Sequence, residues 1–178
     1  VSQSVSQSVS QNNVTFSEND NLIIKGNNLI ALASLLKRYE GKVKCIYIDP
    51  PYNTGNDSFG YNDRFNHSTW LVFMKNRLEL AKRLLSDDGI IFVQIDNSPS
   101  SINESPEFGY ILVLMDEIFG RKNYVTTFTW KKKGNSSNTK DDIGTITESI
   151  LMYSRKIESI EVNLQEYKRK YKYTDEEG

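Results

Sequence analysis

The chain has 178 residues, 38% of them hydrophobic, with 22 basic and 23 acidic side chains for a formal net charge of −1. That is one domain's worth of chain with a sizeable core, and it excludes a bulk polycation, so any nucleic-acid surface has to be local. A single cysteine excludes an intramolecular disulfide framework; with no apolar run of membrane-spanning length and no signal-peptide core, the expectation is a cytoplasmic protein.

The first eleven residues repeat Val-Ser-Gln-Ser with a period of four. Their polar composition predicts disorder over residues 1–15. A four-base DNA repeat such as AGTC, read in triplets, gives this tail, and gain or loss of one unit would shift the reading frame. An accidental repeat in a linker is the alternative. The chain does not begin with Met, which predicts that it starts inside a longer frame or was trimmed.

Residues 22–25 read as a short strand. Leu29, Ala31, Leu32, Leu35, Leu36 and Tyr39 have helical spacing. Residues 43–48 form an apolar strand, within which Cys45 reads as an inert core thiol. A loop rich in Asn, Asp, Gly and Ser follows over 50–68. Residues 69–85 read as a long helix with Leu71, Phe73, Met74, Leu78, Ala81, Leu84 and Leu85 towards the core, and Gly89 as its stop. Residues 90–95 are a continuous apolar strand of the kind buried on both faces. A helix over 110–119 closes at Gly120. Two strands, 125–130 and 149–153, flank a polar loop over 131–144. The alternation predicts an α/β fold built on a parallel sheet with an antiparallel edge. Three units are expected: the tail, a main unit over 16–156, and from 157 to 178 the start of another region.

The first of these apolar strands ends in Asp49-Pro50-Pro51-Tyr52, followed by Asn53-Thr54-Gly55. Each proline removes a backbone donor, so no ladder continues through them. What remains is a rigid corner holding a carboxylate, carbonyls and an aromatic ring at the carboxyl end of a strand, where ligands bind in open α/β sheets. Such a corner suits methyl transfer to an exocyclic amine of a nucleobase. The amine lone pair is delocalised into the ring. Accepting its two N–H groups with the Asp49 carboxylate and the Pro50 carbonyl would localise that pair and stabilise the developing positive charge. Tyr52 would stack on a base that has left the duplex, and the prolines pre-set the backbone. The plainer reading is a strand ending in a proline turn with an exposed Asp and a packed Tyr.

Other positions carry two readings each. The loop over 54–70 contains Phe59, Tyr61, Phe65 and Trp70 and is either a lid or aromatic packing on the long helix. His67, the only histidine, has no metal-ligand spacing around it and reads as a capping or packing residue. Asp96 either faces the corner or caps the following turn, the latter preferred. Lys131, Lys132 and Lys133 are either phosphate contacts or a solvated charge run.

The stretch Ile46-Tyr47-Ile48-Asp49-Pro50-Pro51-Tyr52-Asn53-Thr54-Gly55 resembles the catalytic motif of DNA amino-methyltransferases. With Phe65-Asn66-His67-Ser68-Thr69-Trp70-Leu71, Gly89-Ile90-Ile91-Phe92-Val93-Gln94-Ile95-Asp96 and Leu114-Met115-Asp116-Glu117-Ile118-Phe119-Gly120, the pattern over residues 21–156 is similar to the modification subunit of type III restriction–modification systems. That resemblance implies a Rossmann-like methyltransferase sheet in permuted motif order, S-adenosylmethionine as cofactor, and adenine N6 in double-stranded DNA as acceptor. Cytosine N4, RNA or protein acceptors, or a non-catalytic nucleic-acid-binding or assembly module, are the alternatives. It implies Asp49, Pro50, Pro51 and Tyr52 as catalytic, and Asp49, Asn53 and Asn27 on the cofactor side. On the phosphate-contact reading of the basic run, Lys131, Lys132 and Lys133 are the DNA-binding candidates; no metal is implied. A helicase-nuclease restriction subunit and a second copy of the subunit would be partners, phase variation would fit the repeat tail, and residues 157–178 would begin the target-recognition region. The chain departs from the family in having Asn27 where Asp is frequent, in an irregular stretch over 97–109, and in lacking any Gly-x-Gly loop. The expectation is an N-terminal piece that neither methylates DNA alone nor binds the cofactor tightly.

Overall fold

The computed structural model describes Ser17 and residues 20–53, 66–96, 107–132 and 147–161. The repeat tail, the stretch 54–65, Lys133 and residues 162–178 lie outside the described residues.

Among the described residues, three α-helices and four strands run in the order α1 (Asn28–Tyr39), β1 (Val43–Ile48), α2 (His67–Leu84), β2 (Leu85–Ile95), α3 (Phe108–Phe119), β3 (Tyr124–Lys131) and β4 (Thr147–Ser154). The strands form one sheet in the order β1-β2-β4-β3. β1 is parallel to β2, and β4 is antiparallel to both β2 and β3. The antiparallel strand therefore lies inside the sheet, not at its edge as the alternation predicts. Because β1, β2 and β3 run in one direction, their carboxyl ends and the start of β4 share one edge. Asp49, Asp96, Lys132 and Glu148 are brought together there.

One face of the sheet holds the core. Ile91, Val93 and Ile95 from β2 and Leu151 and Tyr153 from β4 pack beneath Trp70, Met74 and Leu78 of α2 and Ile111 and Met115 of α3. Alternate residues point the other way. Among the described residues no helix covers that second face, and Tyr47, Phe128 and Trp130 stay exposed on it. This explains Cys45, which is exposed and not in the core: it shares the uncovered face with Tyr47, two residues on. α1 likewise has no buried residue.

Two further local expectations change. Residues 22–25 are irregular chain, and Ile23 is 99% exposed. Apolar, β-branched composition makes a strand only where a neighbouring edge takes up its backbone groups, and no described strand pairs with this segment. Gly89 does not stop α2, which ends at Leu84 with β2 following directly. It lies in an irregularity of the β1–β2 register, where Val43 pairs with Leu85 but Cys45 with Ile90. A Cβ on Gly89 would stand 2.8 Å from the Val43 carbonyl oxygen and 2.9 Å from that of Ser86, so this glycine permits a close backbone approach. Gly120 does terminate α3, at φ +89° with its N–H donated to the Asp116 carbonyl.

Candidate active site

β1 delivers Asp49 to the shared edge with its surface exposed, while Pro50 is buried. The corner is pinned from α2. Trp70, fully buried, donates its indole Nε1–H to the Pro51 carbonyl at 2.8 Å. Of the two readings of Trp70, packing is the one observed, with a polar anchor added. The other aromatics of that loop, Phe59, Tyr61 and Phe65, lie outside the described residues. Asn66 caps α2 by accepting the Thr69 N–H at 2.8 Å.

Tyr52 packs against the core, and its hydroxyl donates to Glu148 Oε2 at 3.4 Å. Burial, followed by a hydrogen bond to and the charge of Asp49, pushes its phenol well above the usual tyrosine range. Tyr52 is thus a neutral hydrogen-bond donor. Gln94 Nε2 also donates to Glu148 Oε2, at 2.5 Å, and the Tyr47 hydroxyl donates to Gln94. Tyr47, though largely exposed, is shifted upward too, by partial desolvation first and then by the charges of Asp49 and Glu148. Lys132 closes the network: its Nζ lies 2.5 Å from Asp96 Oδ2 and 3.5 Å from Glu148 Oε1. Lys132 is thereby held within the site. Lys131 is exposed at the end of β3, and Lys133 is outside the described residues. Asp96 faces the corner's neighbourhood through this ion pair.

Asn53 follows Tyr52 in the left-handed region, at φ +58°, a conformation Asn tolerates better than most residues. Its Nδ2 donates to Glu107 Oε1 at 2.5 Å. Asn27 sits at the start of α1 as its N-cap, with Oδ1 accepting from Leu29 N at 3.0 Å and Ile30 N at 3.5 Å. The structure therefore gathers Asp49, Pro50, Pro51, Tyr52, Asn53 and Lys132 at one place and uses Asn27 as a helix cap.

Sequence reasoning did not single out Glu148, Gln94 or Glu107 as site residues. An acid opening an otherwise apolar strand is the one signal that marks Glu148, since a carboxylate there needs partners to be tolerated. Chemically, the edge presents an exposed carboxylate, a fixed aromatic ring and a cluster of two further carboxylates that share one ammonium. Its acidity suits a cationic group such as a sulfonium or ammonium, so the residues present fit one side of an S-adenosylmethionine site.

Residues 43–178 match the family model described as DNA methylase. The chain is 55% identical over 147 residues to the probable type III restriction-modification enzyme HindVI Mod subunit of Haemophilus influenzae, covering 81% of this chain and 19% of that protein. It is 35% identical over 169 residues to the type III EcoP15I Mod subunit of Escherichia coli, covering 78% and 25%. The chain thus spans a quarter or less of the length of these relatives. Among solved structures, a DNA modification methylase from Thermus thermophilus aligns with a TM-score of 0.53 at 17% identity, over 83% of this chain and 56% of that one. The PvuII cytosine-N4-specific DNA methyltransferase aligns at 0.53 and 13% identity, over 74% and 48%. At such identities these two likenesses show the fold alone.

Proposed function

This chain belongs to the DNA methylase family, with type III Mod subunits among its relatives, and on that premise we propose that it carries the catalytic corner of an adenine N6-methyltransferase. The observation that carries the reading is the exposed Asp49 carboxylate at the sheet edge, beside a proline corner that Trp70 locks in place. Trp70 occupies the Pro51 carbonyl, and the Pro50 carbonyl is the second acceptor for the amine. Asp49 and Pro50 take the two N–H groups of the flipped-out base, concentrate the lone pair on nitrogen and offset its positive charge as the new bond forms. Asp49 then holds the proton that nitrogen sheds. Tyr52, un-ionised and tied to Glu148, offers its ring for stacking.

S-adenosylmethionine supplies an electrophilic methyl group when bound; Asp49 and Asn53 line its side of the corner. Adenine as acceptor follows the family preference for Asp at the first motif position. The remaining partners belong to the same proposal: double-stranded DNA, a helicase-nuclease restriction subunit and a second copy of the complete subunit. The present chain, lacking a glycine-rich cofactor loop, supplies only part of the cofactor site. Calorimetric titration of these 178 residues with S-adenosylmethionine is expected to give no micromolar binding.

The test of the reaction is nucleoside analysis. The complete subunit is incubated with S-adenosylmethionine and unmethylated genomic DNA, and the digest is resolved by mass spectrometry. N6-methyladenine is the expected product. N4-methylcytosine would change the acceptor. No methylated base, together with salt-dependent DNA binding set by the lysines, would replace the enzyme with a binding module.

A further inference from the structure

Glu107 precedes α3 at its N-cap position, with 2% of its surface exposed, yet its side chain makes no capping hydrogen bond. It reaches across to the catalytic loop instead. Oε1 accepts from Asn53 Nδ2 at 2.5 Å and lies 2.8 Å from His67 Nδ1 at the first residue of α2. His67 in turn stacks on Tyr110 of α3, with ring centroids 4.8 Å apart. The second oxygen, Oε2, is buried with no hydrogen-bond partner among the described residues.

A buried carboxylate is costly where a neutral side chain would serve. α3 already has a continuous apolar face in Ile111, Leu114, Met115, Ile118 and Phe119, so the helix itself does not call for this residue. What Glu107 joins is informative. Asn53 is the non-glycine residue held at φ +58°, directly after Tyr52. The left-handed turn there redirects the chain as it leaves Asp49, Pro50 and Tyr52. Such conformations persist when surrounding contacts over-determine them.

We propose that Glu107 is a positioning residue for methyl transfer, acting through Asn53 and His67 to hold the Asp49–Asn53 corner in its working geometry. The role in transfer rests on the methyltransferase reading; the hold on the corner does not. Both are tested in the complete subunit. Hydrogen exchange of a peptide covering residues 47–53 should be faster in Glu107→Ala and in Asn53→Ala, to similar extents, while α3 keeps its protection. With unmethylated genomic DNA, Glu107→Ala should lower kcat about 10- to 100-fold and leave KM for DNA within about threefold. Glu107→Gln, whose amide oxygen still accepts from Asn53, should recover at least part of that loss. The double variant Glu107→Ala/Asn53→Ala should be no slower than the worse single, because the two act as one unit.

Unaltered exchange over 47–53, a wild-type kcat in Glu107→Ala, no recovery in Glu107→Gln, or simple additivity in the double variant would each overturn the proposal. A wild-type subunit that folds but transfers no methyl group would sink the enzymatic reading on its own, with the exchange result still deciding whether Glu107 holds the corner.

Discussion

Replacing Trp70 by Phe removes one donor and part of one ring from the junction between α2 and the catalytic corner. The indole is fully buried and its Nε1–H is 2.8 Å from the Pro51 carbonyl. Without it that carbonyl is left unpaired in a half-buried site, at a cost towards the lower end of about 1–3 kcal/mol. The missing ring atoms add roughly 1–2 kcal/mol, as in other partial core truncations. At 1.4 kcal/mol per factor of ten, the lower end of the sum predicts local opening about 30-fold more frequent. The opening is local, so the readout is hydrogen exchange of amides in the first turns of α2. Methyl transfer should fall alongside, because the anchor fixes the backbone that presents Asp49. Exchange within about twofold of wild type, with transfer unchanged, would refute the assignment of Trp70 as the corner's anchor.

Other consequences follow from particular contacts. Gly89→Ala places a Cβ inside 3.0 Å of two backbone oxygens, and should cost about 1–3 kcal/mol of stability by denaturant titration; a neutral result would mean the β1–β2 irregularity is soft. Tyr52 and Tyr153 are both shifted upward, by burial first and then by hydrogen bonds to Asp49 and Asp116 respectively. The unfolded chain therefore ionises first, so stability is level below about pH 10 and declines as pH rises beyond it. Tyr52→Phe and Tyr153→Phe should each flatten that decline in a pH series of unfolding curves. If exposed Lys131 contacts a phosphate while Lys132 serves Asp96 and Glu148, Lys131→Ala should lower the salt slope of DNA binding by about one. Lys132→Ala should leave that slope unchanged and impair transfer; the reverse pattern would move Lys132 out of the site.

The elements that sequence reasoning recovers are those with strong periodicity. α2 and α3 show their apolar spacing openly, and β1 matches its expected bounds because the apolar run Cys45–Ile48 ends at Asp49 and a double proline. The misses share one physical cause: they depend on neighbours. Residues 22–25 have the composition of a strand and no described edge to pair with. Cys45 looks like core until the sheet's uncovered face is known. Gly89 looks like a helix stop, yet its meaning lies in a carbonyl 46 positions away, that of Val43.

The site divides in the same way. Asp49 to Asn53 is legible because two prolines after an acid leave so few structural uses. Lys132, Asp96 and Glu148 come together only through strand order, since β4 runs back between β2 and β3 and lays its first residues beside their ends. A lysine in a basic run reads as solvent-facing until two carboxylates are found against it. Glu107 sits within a stretch that breaks the family pattern, and its partner Asn53 lies 54 positions away in sequence.

The most direct test expresses the complete reading frame, and its Asp49→Ala variant, in a methylation-free host and maps modified bases across the genome. The account predicts N6-methyladenine at one recurring motif in the first strain and none in the second. Undiminished methylation in the Asp49→Ala strain, or no modified adenine in either with the protein folded, would contradict it.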